Sequence, residues 1–163
     1  MMMTLEILAA QIREVLIREN SPASREQVAG LLKSALRGED FVAAQFVNEV
    51  GQRKVLYEDP TLGFCIVAHE YQGAKSSGPH DHGPSWAIYG QAEGETLMRD
   101  YTPVAPGQVR EERSYLMRPG DVHVYNEGAV HSPSRVTSTR LIRIEGMNLA
   151  GVVRSECKVV EGA

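Results

Sequence analysis

Residues 76–95 read SSGPHDHGPSWAIYGQAEGE, and in this stretch His80 and His82 are separated by a single residue. On a strand, side chains at i and i+2 leave the same face, so two imidazoles could meet one divalent transition metal while Asp81 points away. The triplet is weak evidence alone, because surface loops rich in Gly, Pro and Ser carry it by chance. A second place with chemistry is RLIRIE, where Arg143 and Glu145 alternate with Ile142 and Ile144, so that one face is apolar and the other charged. Turned into a cavity, Arg143 can hold a substrate anion and Glu145 can accept a proton. Turned outward, the same pair is a salt bridge or a solvated edge. Arg135 is a further candidate for anion binding. Trp86 and Tyr89 either line a pocket mouth or pack like ordinary strand aromatics.

The elements that must position these residues divide the chain in two. Leu5, Leu8, Ile12, Val15 and Leu16 recur at helical period. Ser21-Pro22 then breaks the chain. Ser24 followed by Gln27 has the capping-box spacing ahead of Val28, Leu31, Leu32, Ala35 and Leu36. Asp40 is placed to cap a third helix through Phe41, Ala44 and Val47, ended by Gly51. Beyond Gly51, short runs rich in Val, Ile, Tyr and Thr alternate with Gly, Pro and Asp. Strands are expected at 53–58, 63–71, 84–90, 94–102, 108–117, 121–125, 132–137, 139–145 and 151–160. Many short strands at this spacing favour an antiparallel sandwich or barrel, with residues 1–50 as a helical segment packed on a β core of residues 51–163.

The histidine stretch resembles the first motif of the cupin superfamily: a Gly, HxH, a Glu after three or four residues, and a Gly seven beyond it. His80 and His82 fill the HxH, Ala87 stands at the Glu position, and Gly94 is the closing Gly. The second motif is matched by Gly120, Asn126 in place of Pro, Gly128 and His131. The resemblance covers residues 53–145 and implies a mainly β fold, the cupin double-stranded β-helix, with N-terminal helices outside it. It implies a metal held by His80, His82 and His131. His123, in PGDVHVYN, is the competing third ligand, and the glycine spacing favours His131. His69 reads as an ordinary strand histidine. With alanine where most cupins place a ligand glutamate, three neutral imidazoles leave the metal charge uncompensated, which favours anionic ligands. That form is similar to the cysteine dioxygenase-like branch, which implies ferrous iron, dioxygen and a small thiol substrate. Two features depart from that branch. The strand before the HxH reads KVLYEDP, with Arg53 just outside it, and the later strand presents Leu141, Arg143 and Glu145 rather than a Ser-His-Tyr array. Both departures argue against cysteine as the substrate.

The function expected is a mononuclear non-haem iron dioxygenase acting on a small anionic substrate, with Arg143 and Glu145 at the reaction and Arg135, Trp86 and Tyr89 around the substrate. The alternatives are a non-redox isomerase, lyase or hydrolase using Zn2+, Ni2+ or Mn2+, and a non-catalytic metal- or metabolite-binding cupin. A net charge of −4 argues against nucleic acid and anionic membranes as partners. No apolar run is long enough to cross a bilayer, and the N-terminus has charges throughout its apolar pattern, unlike a signal peptide. Cys65 and Cys157 fit a reduced cytoplasmic protein. A homodimer is the assembly that the family resemblance suggests.

Overall fold

The computed structural model describes residues 2–153 and 155–161. Among these residues three helices come first: α1 (Leu5–Arg18), α2 (Pro22–Leu36) and α3 (Glu39–Gln45). Thr4 caps α1, its side chain accepting from the Ile7 amide at 3.2 Å. The cap of α2 is Ser21, not Ser24: Ser21 Oγ accepts from the Ser24 amide and Ser24 Oγ accepts from the Ser21 amide, a reciprocal box. Pro22 explains the shift, since a residue without an N–H fits the first helical position, where the donor would have no partner. The helix α3 starts at Glu39 without a side-chain cap and stops at Gln45, so Asp40 lies in its first turn and exposed Val47 lies beyond its end.

Ten strands follow among the described residues: β1 (Lys54–Glu58), β2 (Cys65–Tyr71), β3 (Lys75–Ser76), β4 (Ala87–Glu93), β5 (Thr96–Ala105), β6 (Gln108–Met117), β7 (Val122–Tyr125), β8 (Val130–Arg135), β9 (Thr139–Glu145) and β10 (Lys158–Val159). They form two five-stranded sheets, ordered β1-β2-β9-β4-β7 and β10-β6-β5-β8-β3, antiparallel except for the β10–β6 pair. The fold is mainly β, a double-stranded β-helix with helices on one side. Residues 84–86 precede β4 instead of belonging to it, and the strand expected at 151–160 shrinks to β10, with Arg154 outside the described residues.

The first sheet is covered on both faces, and period-2 alternation sorts its side chains between two environments. Ile66 and Ala68 of β2, Ile88 of β4 and Ile142 and Ile144 of β9 join Leu8, Ile12, Val28, Leu32 and Leu36 of the helices in one apolar core. The helix packing is tight at Gly90, where a Cβ would stand 2.9 Å from both Leu32 Cδ2 and Leu36 Cδ1. Trp86 belongs to this helix-facing core, with the Arg25 guanidinium 5.3 Å from its ring centroid. It does not line the cavity, which corrects one sequence expectation. The opposite face carries His69, Tyr71, Tyr89, Leu141 and Arg143 into the barrel. Among the described residues, no helix is long and apolar enough to cross a membrane.

Candidate metal centre and cavity

His80 and His82 lie in the loop between β3 and β4, not on a regular strand. His80 is held by a single antiparallel bridge to His131 of β8, each amide donating to the other's carbonyl at 3.1 Å. A second bridge joins His80 to Glu156, so the chain after β9 folds back over this loop. Asp81 fastens it further, Oδ1 accepting from the amides of Gly83 and Ser155 at 3.0 and 3.2 Å. The sequence therefore brings the first two histidines in by loop geometry and the third by a strand.

The turn before β8 delivers His131. Gly128 has φ +77°, a conformation that side chains rarely adopt, and the Ala129 amide closes the turn on the Asn126 carbonyl at 3.0 Å. Asn126 Oδ1 accepts from Arg25 Nη1 at 3.0 Å, and Glu127 pairs with the same guanidinium. Arg25 is 5% exposed, and it ties α2 to the loop that sets the third histidine. The equivalent constraint on the β4–β5 hairpin is Gly94, φ +71°, where a Cβ would meet the Ser138 carbonyl at 2.5 Å.

His80, His82 and His131 are all buried, and one nitrogen from each lies within 4.8 Å of the other two. His82 Nε2 and His131 Nε2 are 3.0 Å apart. His80 Nδ1 donates to the Gly78 carbonyl at 2.7 Å, which directs Nε2 as the lone-pair donor. Such a donor set of neutral imidazoles suits divalent Fe, Zn, Ni or Mn. Tyr89 reaches the same point from β4, with Oη 3.1 Å from His82 Nε2 and 3.3 Å from His131 Nε2. His123 is outside this group: it is half-buried, and its ring centroid lies 4.5 Å from that of Tyr115.

A cavity of about 450 Å3 adjoins the centre, and His80 and Tyr89 belong to its wall. Its other walls carry Arg53, His69, Tyr71, Arg135 and Arg143. Arg135 is 4% exposed; Nε donates to Thr96 Oγ1 at 3.1 Å and the guanidinium lies 4.7 Å from the Tyr71 ring centroid. Among the described residues no carboxylate pairs with it, and burial pulls its pKa below the ordinary arginine value. This is a buried cation without a counter-ion, facing a cavity.

Arg143 and Glu145 are handled differently. Glu145 is fully buried and accepts from Arg53 Nη1 and Nη2 at 2.9 and 2.8 Å, from Arg143 Nη2 at 2.5 Å, and from the Leu149 amide at 3.2 Å. Burial pushes its carboxyl up, and the Arg53 hydrogen bonds with the two arginine charges outweigh that, leaving it below the ordinary glutamate value. Arg143 in turn donates from Nη1 to Tyr89 Oη at 3.0 Å. Burial works against its charge, and Tyr89 and Glu145 more than restore it. The charged face of β9 thus looks into the barrel, with Arg143 on the cavity wall and Glu145 behind it. His69 Nδ1 donates to the Gln52 carbonyl at 2.6 Å, and burial followed by the Arg143 charge takes its pKa down to about 3, so it stays neutral.

Two residues here have no motif of their own. Arg53 precedes β1 and gains its role only through pairing with Glu145, 92 positions on. Arg25 sits in an amphipathic helix where any polar residue fits the pattern. Cys65 is buried, and burial followed by Glu58 takes its thiol up to about 12, so it is inert as a nucleophile at neutral pH.

No family model and no curated protein matches the sequence. Among solved structures it is similar to a cupin-2 domain protein from Shewanella frigidimarina NCIMB 400, at 13% identity over 68% of this chain and 95% of that chain, TM-score 0.48. It is also similar to a cupin superfamily protein from Desulfitobacterium hafniense DCB-2, at 11% identity over 59% and 76% of the two chains, TM-score 0.46. Oxalate oxidase matches at 21% identity over 56% of this chain, TM-score 0.46, and the match spans 45% of the oxalate oxidase chain. Two of these neighbours are described as cupins, and all three likenesses have TM-scores below 0.5.

Proposed function

We propose that the protein is a metal-dependent oxygenase that uses one ferrous ion, dioxygen and a small carboxylate-bearing substrate. The reading is carried by one juxtaposition: a buried three-imidazole group reaches, through His80, the wall of a cavity that also carries a buried arginine with no carboxylate partner among the described residues. When bound, the iron supplies redox chemistry and open positions for two small ligands. The chain's own residues do the rest. Arg135 receives the substrate carboxylate through its remaining donors, held in place by Thr96 and the Tyr71 ring. Arg143 adds positive potential beside Tyr89. Glu145 fixes Arg143 and is not the proton acceptor, because four donors already occupy its oxygens. Tyr71, Leu141 and Leu149 line the cavity and limit water around the bound substrate.

The test is oxygen uptake by iron-loaded protein with a panel of small thiol, hydroxy and amino carboxylates. The expected result is uptake with at least one of them, lost on Arg135→Met while iron content is retained. Absence of uptake across the panel overturns the oxygenase reading. Turnover by zinc-loaded protein without oxygen would select a non-redox lyase or hydrolase.

A further inference from the structure

We infer that Tyr89 is a fourth ligand of the metal, so that the centre is three imidazoles and one phenolate. The inference rests on the three-histidine centre proposed above and starts from the strand that carries it. Ala87 and Tyr89 are two residues apart on β4 and share its inward face. The anionic ligand absent at Ala87 can therefore come from one pleat further along the same strand.

The distances fit one coordination shell. Metal–nitrogen and metal–oxygen bonds of about 2.1 Å place neighbouring donors about 3.0 Å apart at right angles and about 3.4 Å apart at the tetrahedral angle. The three separations among His82 Nε2, His131 Nε2 and Tyr89 Oη are 3.0, 3.1 and 3.3 Å. These atoms already stand as three vertices around a common point, and a phenol that merely lined the cavity would not need to lie within 3.3 Å of two ligand nitrogens at once.

The hydrogen bonds say what the phenol does there. Tyr89 Oη accepts from Arg143 Nη1 and stands within hydrogen-bond distance of both Nε2 atoms; with these nitrogens unprotonated, as metal binding requires, the phenol proton is the one directed toward an imidazole. A metal at the common point uses the Nε2 lone pairs, and that proton loses its acceptor. Binding then exchanges proton for metal: the phenolic O–H bond breaks, an O–metal bond forms, and the proton leaves to solvent with no change of oxidation state. Arg143 remains beside the phenolate oxygen and balances its charge, itself held by Glu145. The fourth ligand lowers the charge of the centre by one, and in a six-coordinate ion it leaves two positions for substrate and dioxygen.

The test uses the full chain loaded with ferric iron. A phenolate on ferric iron produces an intense visible charge-transfer band that imidazole ligands do not. The expected result is such a band in the wild type, its loss in Tyr89→Phe with iron content retained, and its persistence in Tyr125→Phe, whose ring also lies against His131. Arg143→Met should move the band to longer wavelength, because the phenolate loses its hydrogen-bond donor. Bound iron without a band, or a band that survives Tyr89→Phe, overturns the phenolate ligand and leaves the three-histidine centre standing. Protein that takes up no iron overturns both.

Discussion

Replacing Glu145 by glutamine separates a residue that holds the cavity together from one that transfers protons. The side chain keeps its shape but loses its charge, and one oxygen becomes an NH2 group facing the donors of Arg53 and Arg143. Arg143, 7% exposed at the side chain, is left as a buried charge without its carboxylate. Removing one partner of a buried pair costs about 3–5 kcal/mol. Arg53 is 25% exposed and can turn toward water, which places the expected loss at the lower end, about 3 kcal/mol. For a chain of this size that lowers Tm by about 6–12 °C. Urea unfolding and calorimetry at neutral pH measure it, with an unchanged m-value showing that the fold is intact. The pH dependence follows from the sign of the shift. The folded carboxyl titrates below its ordinary value of 4.5, so its stabilisation is complete above that value and lost as pH falls through the lower folded pKa. The gap between wild type and Glu145→Gln should be constant near neutrality and shrink in acid. A loss below about 1 kcal/mol, of the size of an exposed pair, would refute the reasoning. A gap that persists unchanged in strong acid would do the same.

Further outcomes follow from the site and its support. His82→Ala and His131→Ala should each lower metal affinity by more than the about 10–100-fold that loss of an outer hydrogen bond costs, whereas His123→Ala should retain metal, as read by metal analysis after dialysis. Arg135→Met should weaken binding of small carboxylates by about 10- to 150-fold, the worth of a charged hydrogen bond, with metal content unchanged in titration calorimetry. Gly90→Ala should cost about 1–3 kcal/mol in urea unfolding, because its methyl meets Leu32 and Leu36 and α2 must move away from the sheet.

Much of this was legible in the chain because it depends on local periodicity and turn chemistry. The helical stripes of α1 and α2 and the alternation in β9 are visible in the residues, and so are the glycines that the turns around the centre require. The limits were also local in origin. Ser21-Pro22 looks like a break until Pro22 is placed at the first helical position, which makes the same dipeptide a start. His80 and His82 look like strand residues, yet backbone pairing with His131 and Glu156 positions the loop that carries them.

The sequence by itself determined which side chains share a face: Arg143 with Glu145, Ala87 with Tyr89, Ile142 with Ile144. Only the tertiary structure decided which face is the inside. Both faces of the first sheet are buried, one under helices and one in the barrel, so polarity alone did not distinguish a solvated edge from a cavity wall. Closure of the two sheets decided it, and also set which distant groups converge: His131 on His82, Arg53 on Glu145, Tyr89 on the imidazoles. The physical reason is that alternation is a property of one strand, whereas a site is a property of the register between strands.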